Sequence, residues 1–140
     1  MGSLVTVAPE FDDFNRFANI FNYYPNGSSG RTVKHLLKGM HTGRFEKYTA
    51  EWNDSLREKI YSYYPVDLSK LRYSEVPIAM IYALDDALSS AADSQILVHQ
   101  IRPTFLKTIR GGHATFLVGK DMTYFTQNVI GLLQKYHSLS

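Results

Sequence analysis

The chain of 140 residues has the length of one ordinary domain, and with 44% hydrophobic and 20% charged residues it has the composition of a folded globular protein. Its formal net charge is +2 and no run of Lys or Arg exceeds a pair, so the sequence lacks the electrostatic pattern of a nucleic-acid-binding protein. There are no cysteines, which excludes disulfides, cysteine-ligated zinc and a thiol nucleophile, and no apolar stretch approaches the roughly 18 residues that would span a bilayer.

The first half of the chain is punctuated by turn-forming residues and predicts an irregular, partly helical segment over residues 1–75. A helix is predicted from about Thr32 to Lys38, because apolar residues recur there at helical spacing. A second helix is predicted around Asn53 to Tyr61. The stretch that follows reads as extended, since Pro65 disfavours a helical conformation in the residue before it.

Residues 76–140 predict a regular succession of strands and helices. The continuous apolar run from Val76 to Tyr82 is typical of a strand that is buried on both faces of a parallel sheet. Ser89 or Ser90 can cap a helix that runs to about Gln100, and a second strand is predicted from Thr104 to Ile109.

Helical spacing also predicts which faces of the two later helices are apolar. In the helix between the strands, Ala92, Ile96 and His99 lie on one stripe. The last helix covers about Met122 to Tyr136. Its predicted apolar face consists of Phe125, Val129, Leu132, Leu133 and Tyr136.

An acidic loop follows the first predicted strand, and a histidine loop follows the second. A strand, a crossover helix and a second strand form a right-handed parallel unit, and ligands bind at the carboxyl ends of such strands. If the two strands are neighbours, Asp86 and His113 lie at the same edge of the sheet. They are then placed as the acid and the histidine of a catalytic triad, in which the carboxylate orients the imidazole that takes a serine proton.

Structural interpretations of the same residues stay open at this point. Asp86 can simply cap a helix or end a strand, and Asp85 competes with it as the candidate acid. His113 can be a turn histidine, because Gly111 and Gly112 permit a tight turn before it. The other histidines fit no metal-binding motif, so neither a metal nor a cofactor is expected.

Several short segments occur in a characteristic order along the chain. They are Pro25–Ser29, Phe45–Tyr48, Val76–Ala79, Asp86–Leu88, His113 with Phe116, and Gly119–Asp121. In this order they resemble the C-terminal part of the acid lipase family of α/β-hydrolases, over residues from about 14 to 136. The resemblance implies an α/β fold in which residues 76–140 are the last βα units of a mostly parallel hydrolase sheet. It implies that residues 1–75 derive from the cap or lid region, that Asp86 is the triad acid and that His113 is the general base.

The sequence departs from the family pattern at several positions. Ala83-Leu84 stands where the family has a glycine pair, Thr115 where it often has an acidic residue, and Thr49–Glu51 where it has an acidic-aromatic-glycine motif. No Gly-x-Ser-x-Gly nucleophile motif occurs, because Gly27-Ser28-Ser29-Gly30 has the wrong spacing. The oxyanion-hole loop is missing as well, so this chain alone is predicted to be inactive.

The sequence therefore leaves two alternative functions. In the first, the chain is the C-terminal portion of a serine-dependent lipase or esterase that hydrolyses acyl esters, and an N-terminal hydrolase part carrying the serine completes it. In the alternative, it is a catalytically inactive, hydrolase-derived structural or interaction subunit of a larger assembly. A third interpretation is that the chain is a small independent βα domain of another family. The order of the lipase-like segments would then be a coincidence. The resemblance suggests a lysosomal or secreted protein, and Asn26 and Asn53 each begin a glycosylation acceptor sequence.

Overall fold

A computed structural model describes residues 8–23, 27–48 and 65–137, which fold into helices and one small parallel sheet. The predicted second helix and the acceptor residues Asn26 and Asn53 lie outside the described residues. Two compact units are present. The sheet unit comprises Met1–Tyr24 and Ser69–Ser140, and the second unit comprises Pro25–Leu68. Within the described ranges, none of the helices has both the length and the apolar character needed to cross a membrane.

The sheet consists of β1, Ala79–Ala83, and β2, Phe105–Ile109, which pair in parallel with Ala79 opposite Phe105 and Ala83 opposite Ile109. Helix α3, Ala91–Ile101, connects them. The predicted strand–helix–strand order is thus confirmed, with β1 beginning three residues later than Val76. The expectation that the first strand is buried on both faces was wrong for the described chain. Ala79 is exposed and only Ala83 is buried, because two strands and one covering helix cannot enclose a sheet.

Side chains form hydrogen bonds with the backbone at both ends of α3. Ser90 is the N-cap, since its hydroxyl accepts a hydrogen bond from the Asp93 N–H at 3.1 Å and donates one to the Asp93 carboxylate at 2.9 Å. At the other end, the guanidinium of Arg72 donates to the carbonyls of Gln100 and, at 2.8 Å, His99. These bonds satisfy backbone groups that a helix leaves unpaired at its ends.

The predicted apolar stripe of α3 was wrong. Ala92, Ile96 and His99 lie on the exposed side of the helix. The inner side carries the buried Ser94, with Leu97 and Val98 half-buried beside it. Because Ser94 is polar, apolar spacing alone did not reveal the inner side of the helix.

The segment that precedes the first helix pairs with a distant part of the chain. Helix α1, Phe14–Phe21, was not predicted; the Asp13 carboxylate caps it by accepting from the N–H groups of Asn15 and Arg16. Directly before it, Asp12 forms an antiparallel bridge with Gly119. This bridge lies beside helix α4, a single turn over Thr115–Val118 that follows the histidine loop.

The last predicted helix is confirmed, but its first half is a π-helix over Tyr124–Val129, followed by α5, Ile130–Tyr136. Hydrogen bonds between residues five apart change the phase of the side chains relative to an α-helix. Of the predicted apolar face, Val129 and Leu132 are half-buried, while Phe125, Leu133 and Tyr136 are exposed. Tyr124 is buried instead, with its ring edge-on to Phe116 at 5.5 Å between centroids.

The second unit is built on helix α2, Gly30–Thr42, which contains the predicted Thr32–Lys38 helix and extends it at both ends. Ser29 caps its N-terminus. Gly43, in the left-handed conformation with φ of 62°, ends it through an N–H bond to the Gly39 carbonyl. The chain then forms an antiparallel bridge between Glu46 and Pro65. A short 3₁₀-helix, Leu68–Tyr73, precedes the sheet.

Removal of the α3 cap tests this account of the fold. Ser90→Ala is expected to lower the free energy of unfolding by about 1 kcal/mol, because the Asp93 N–H loses its partner. The matched control is Ser89→Ala, which removes a neighbouring hydroxyl outside the cap and is expected to change stability by less than about 0.5 kcal/mol. Urea unfolding measures both. Equal losses in the two variants would contradict the assignment of Ser90 as the cap.

Candidate functional site

The structure brings the two predicted site residues together. The Oδ2 atom of Asp86 lies 2.9 Å from Nδ1 of His113, across 27 residues of sequence. This distance is a good hydrogen bond between a carboxylate and an imidazole. The Asp86 side chain is only 3% exposed, whereas that of His113 is 51% exposed. A buried carboxylate therefore holds one edge of an imidazole whose remaining surface is accessible.

The second carboxylate oxygen of Asp86 organises its own loop. Oδ1 accepts hydrogen bonds from the N–H groups of Leu88 and Ser89, at 2.8 and 3.0 Å. Burial, the largest single influence, opposes ionisation of Asp86, but the hydrogen bonds from Ser89, His113 and Leu88 outweigh it and hold the pKa below its ordinary value. Asp86 is thus an ionised carboxylate with both oxygens engaged.

Asp85, the competing candidate acid, has a different role. Its backbone N–H donates to the Gly111 carbonyl at 3.1 Å, and its carboxylate accepts from the Gly111 N–H at 3.1 Å and from Arg110 at 3.0 Å. The Gly111 bond, followed by the Arg110 bond, lowers the pKa of Asp85. These bonds tie the loop after β1 to the loop after β2, which holds Asp86 and His113 in range of each other.

The turn before His113 depends on a glycine. Gly111 has φ of 127°, a conformation that side chains with a Cβ rarely adopt. A Cβ at this position would also lie 2.7 Å from the Cβ of Thr115. The tight turn predicted from Gly111 and Gly112 is therefore present, and it packs directly on the first residue of α4.

Thr115 and Asp12 form a buried network under the histidine loop that sequence reasoning missed. The Thr115 hydroxyl accepts from the Gly112 N–H at 2.9 Å and donates to Oδ1 of Asp12 at 2.6 Å. Oδ2 of Asp12 accepts from the Ala8 N–H at 2.9 Å. Asp12 and Thr115 are only 1% and 3% exposed. Their buried hydrogen bonds hold the loop that carries His113 in place. Because 103 residues separate the two side chains, no local sequence pattern connects them.

A cleft of about 400 Å³ lies beside β2, with Lys107, Arg110, Lys120 and Tyr124 among the residues that line it. Neither Asp86 nor His113 lines this cleft, so it is not a pocket around the carboxylate–imidazole pair. In the part of the chain that the structure describes, no three His, Asp or Glu side chains are grouped closely enough to hold a metal ion.

Comparison of the chain with protein-family models, with curated proteins and with solved structures found no match.

Replacement of Thr115 tests the buried network. Thr115→Val keeps the side-chain shape but leaves the Gly112 N–H and Oδ1 of Asp12 without their partner, and we expect a loss of about 2–3 kcal/mol in the free energy of unfolding. Thr115→Ser keeps the hydroxyl and is expected to cost about 1 kcal/mol or less. Urea unfolding of both variants decides the matter. A serine variant as unstable as the valine variant would contradict the prediction, because retention of the hydroxyl and its hydrogen bonds would not then preserve stability.

The lowered pKa of Asp86 predicts how stability depends on pH. The unfolded chain takes up a proton at this carboxyl near its ordinary pKa of 3.8, and the folded chain does so only at lower pH. The stability that ionised Asp86 contributes is therefore present above pH 3.8 and is lost as the pH falls through the folded pKa. Asp86→Asn removes this contribution, so the stability gap between wild type and variant should narrow in acid. Glu75→Gln, at an exposed carboxylate, is the control. A gap that stays constant down to acid-induced unfolding would contradict the prediction.

Proposed function

We propose that the chain supplies the acid and the histidine of a Ser–His–Asp triad to a lipase or esterase, as the C-terminal portion of an α/β-hydrolase of the acid lipase type. One observation carries the proposal. A buried, ionised carboxylate orients a half-exposed imidazole at the carboxyl ends of two neighbouring parallel strands. That edge is where α/β folds bind ligands, and the chain order of acid before histidine suits the hydrolase triad.

The hydrogen-bond pattern supports the assignment of roles. When the Nδ1–H group of His113 donates a hydrogen bond to Oδ2 of Asp86, the imidazole is neutral and the other ring nitrogen, Nε2, has a free lone pair. Nε2 is then the base that takes the proton of a serine hydroxyl while the serine oxygen bonds to the ester carbonyl carbon. As the ester C–O bond breaks, the imidazolium returns the proton to the leaving alcohol. Water then releases the acid by the same two steps, and Asp86 stabilises the imidazolium throughout.

The serine, the oxyanion donors and the acyl pocket are assigned to an N-terminal hydrolase part outside these 140 residues. The 140 residues contain no Gly-x-Ser-x-Gly motif, and the described cleft does not adjoin His113. Two exposed apolar side chains of the loop after β1, Leu84 at 43% and Leu88 at 50%, offer a surface for that part. The same surface would serve the alternative, an inactive hydrolase-derived subunit of an assembly. The two readings differ only in whether His113 has a serine to act on.

Fluorophosphonate labelling of the native material, with the polypeptides then resolved on a gel, tests the proposal. The probe phosphonylates an activated serine, so a co-purifying polypeptide that carries the nucleophile should label. His113→Ala should slow labelling by at least about 10³-fold and Asp86→Asn by a similar order. His99→Ala, at an exposed histidine away from the pair, should leave it unchanged.

Two results would overturn the proposal. Label on this chain itself would place the nucleophile within the 140 residues. No label on any polypeptide, while the chain stays bound in its assembly and His113→Ala leaves that assembly intact, would favour the structural subunit instead.

A further inference from the structure

The backbone turn that carries His113 is closed by two hydrogen bonds. His113 and Ala114 are the central residues of a turn between Gly112 and Thr115. The Thr115 N–H donates to the Gly112 carbonyl at 3.2 Å, and the Gly112 N–H donates to the Thr115 hydroxyl at 2.9 Å. The first is the ordinary bond of a β-turn, but the second needs a hydroxyl held in one orientation. The direction in which the turn presents the imidazole therefore depends on what holds the Thr115 hydroxyl.

Asp12 holds this hydroxyl. Its Oδ1 atom accepts the Thr115 proton at 2.6 Å, a short distance that is typical of a hydroxyl bonded to a carboxylate. A hydroxyl has only one proton, so donation to Asp12 leaves the lone pairs of the oxygen to accept the Gly112 N–H. A continuous series of hydrogen bonds thus leads from the Asp12 carboxylate, through the Thr115 hydroxyl, to the residue before His113.

The turn to which Asp12 itself belongs does not account for a buried carboxylate. Oδ2 accepts from the Ala8 N–H at 2.9 Å, and the Asp12 N–H donates to the Ala8 carbonyl at 2.9 Å. One neutral oxygen acceptor would suffice there. Asp12 is almost fully buried, and in residues 8–23, 27–48 and 65–137 no basic side chain forms an ion pair with it. Burial of a carboxylate without a cation is costly, so its second bond, to Thr115, is the one that needs a reason.

We propose that Asp12 is a positioning residue for His113 and acts through the Thr115 hydroxyl. Asp86 holds the ring at Nδ1, and Asp12 fixes the turn from which the ring extends. Restraint at both places keeps the imidazole in the orientation in which Nδ1 carries the proton and Nε2 is free. The inference rests on the proposed function, because the orientation of Nε2 affects a rate only where His113 acts as a base.

The segment that carries Asp12 is held on the histidine loop by backbone bonds that do not involve its side chain. The Asp13 N–H donates to the Val118 carbonyl at 2.7 Å, and the Lys120 N–H donates to the Phe11 carbonyl at 2.8 Å. Replacement of the Asp12 side chain therefore leaves these bonds in place. Its effect on His113 can be measured without removal of the whole segment.

The tautomer of His113 in the full chain tests the proposal. With isotope-labelled histidine, the NMR shifts of the two ring nitrogens report which of them carries the proton, and a His113→Gln spectrum assigns the signals. A neutral histidine in water favours the Nε2–H form, whereas His113 should be mainly in the Nδ1–H form. Asp12→Ala should lower the ratio of Nδ1–H to Nε2–H by at least about threefold, because the turn then no longer directs Nδ1 at Asp86.

Asp13→Ala is the matched control. It removes the adjacent carboxylate, which caps α1, and so lowers stability without a change at the Thr115 hydroxyl. If Asp12 were purely structural, Asp12→Ala would likewise lower stability and leave the tautomer ratio of the folded chain unchanged. All spectra are recorded where circular dichroism shows the variant to be folded.

Variants at Thr115 test the route by which Asp12 acts, and they keep the test open if Asp12→Ala does not fold. Thr115→Val should lower the tautomer ratio as Asp12→Ala does, and Thr115→Ser, which keeps the hydroxyl, should retain the wild-type ratio. In the Thr115→Val background, Asp12→Ala should change the ratio by less than about 1.5-fold, because the group through which it acts is already absent.

Fluorophosphonate labelling of the native material connects this positioning to the proposed reaction. Asp12→Ala and Thr115→Val should each slow labelling by about 10- to 100-fold, and Asp13→Ala should not. Absence of label in the wild type would overturn the proposed function, while the tautomer ratio would still decide whether Asp12 positions His113. A wild-type ratio in both Asp12→Ala and Thr115→Val would overturn the positioning role. Additive effects of the two changes in the double variant would overturn the route through the hydroxyl.

Discussion

The parallel pairing of Ala79–Ala83 with Phe105–Ile109 is the constraint on which the candidate site depends. Because the strands are parallel and in register, both end at the same edge, and the loops that follow them start side by side. Asp85 then bonds to both the N–H and the carbonyl of Gly111, which fastens one loop to the other. Asp86 and His113 are the next functional residues along each loop. Their contact is therefore a consequence of strand register, and a change of register by one residue would separate them.

The two oxygens of Asp86 have different partners. Oδ1 bonds to the Leu88 and Ser89 N–H groups, which by itself accounts for an aspartate at the start of a turn. Oδ2 is not needed for that turn, yet it is directed at Nδ1 of His113. Burial of a carboxylate is costly unless its bonds compensate, and here both oxygens have partners. A turn residue alone would not need the histidine, so the second oxygen is what favours the triad interpretation.

The sequence predicted the parts of the fold that local patterns encode. The strand–helix–strand order, a helix cap at Ser89 or Ser90 and the meeting of Asp86 with His113 follow from apolar runs, cap residues and the geometry of parallel strands. The sequence predicted less well which side chains are buried. Ser94 faces inward on α3, and the π-helix brings Tyr124 rather than Phe125 into the interior, because packing and helix phase are set by the tertiary structure. The bridge between Asp12 and Gly119 joins distant parts of the sequence and has no local signature.

The buried network under the histidine loop bears on the departure from the lipase pattern at position 115. The acid lipase family often has an acidic residue there, and this chain has Thr115. The structure places a carboxylate next to this position all the same, since Asp12 lies 2.6 Å from the Thr115 hydroxyl. That hydroxyl both donates and accepts, and it is almost completely buried. A position free to drift would not keep a buried polar group with each of its bonds made. Thr115 is therefore a structural part of the loop that holds His113.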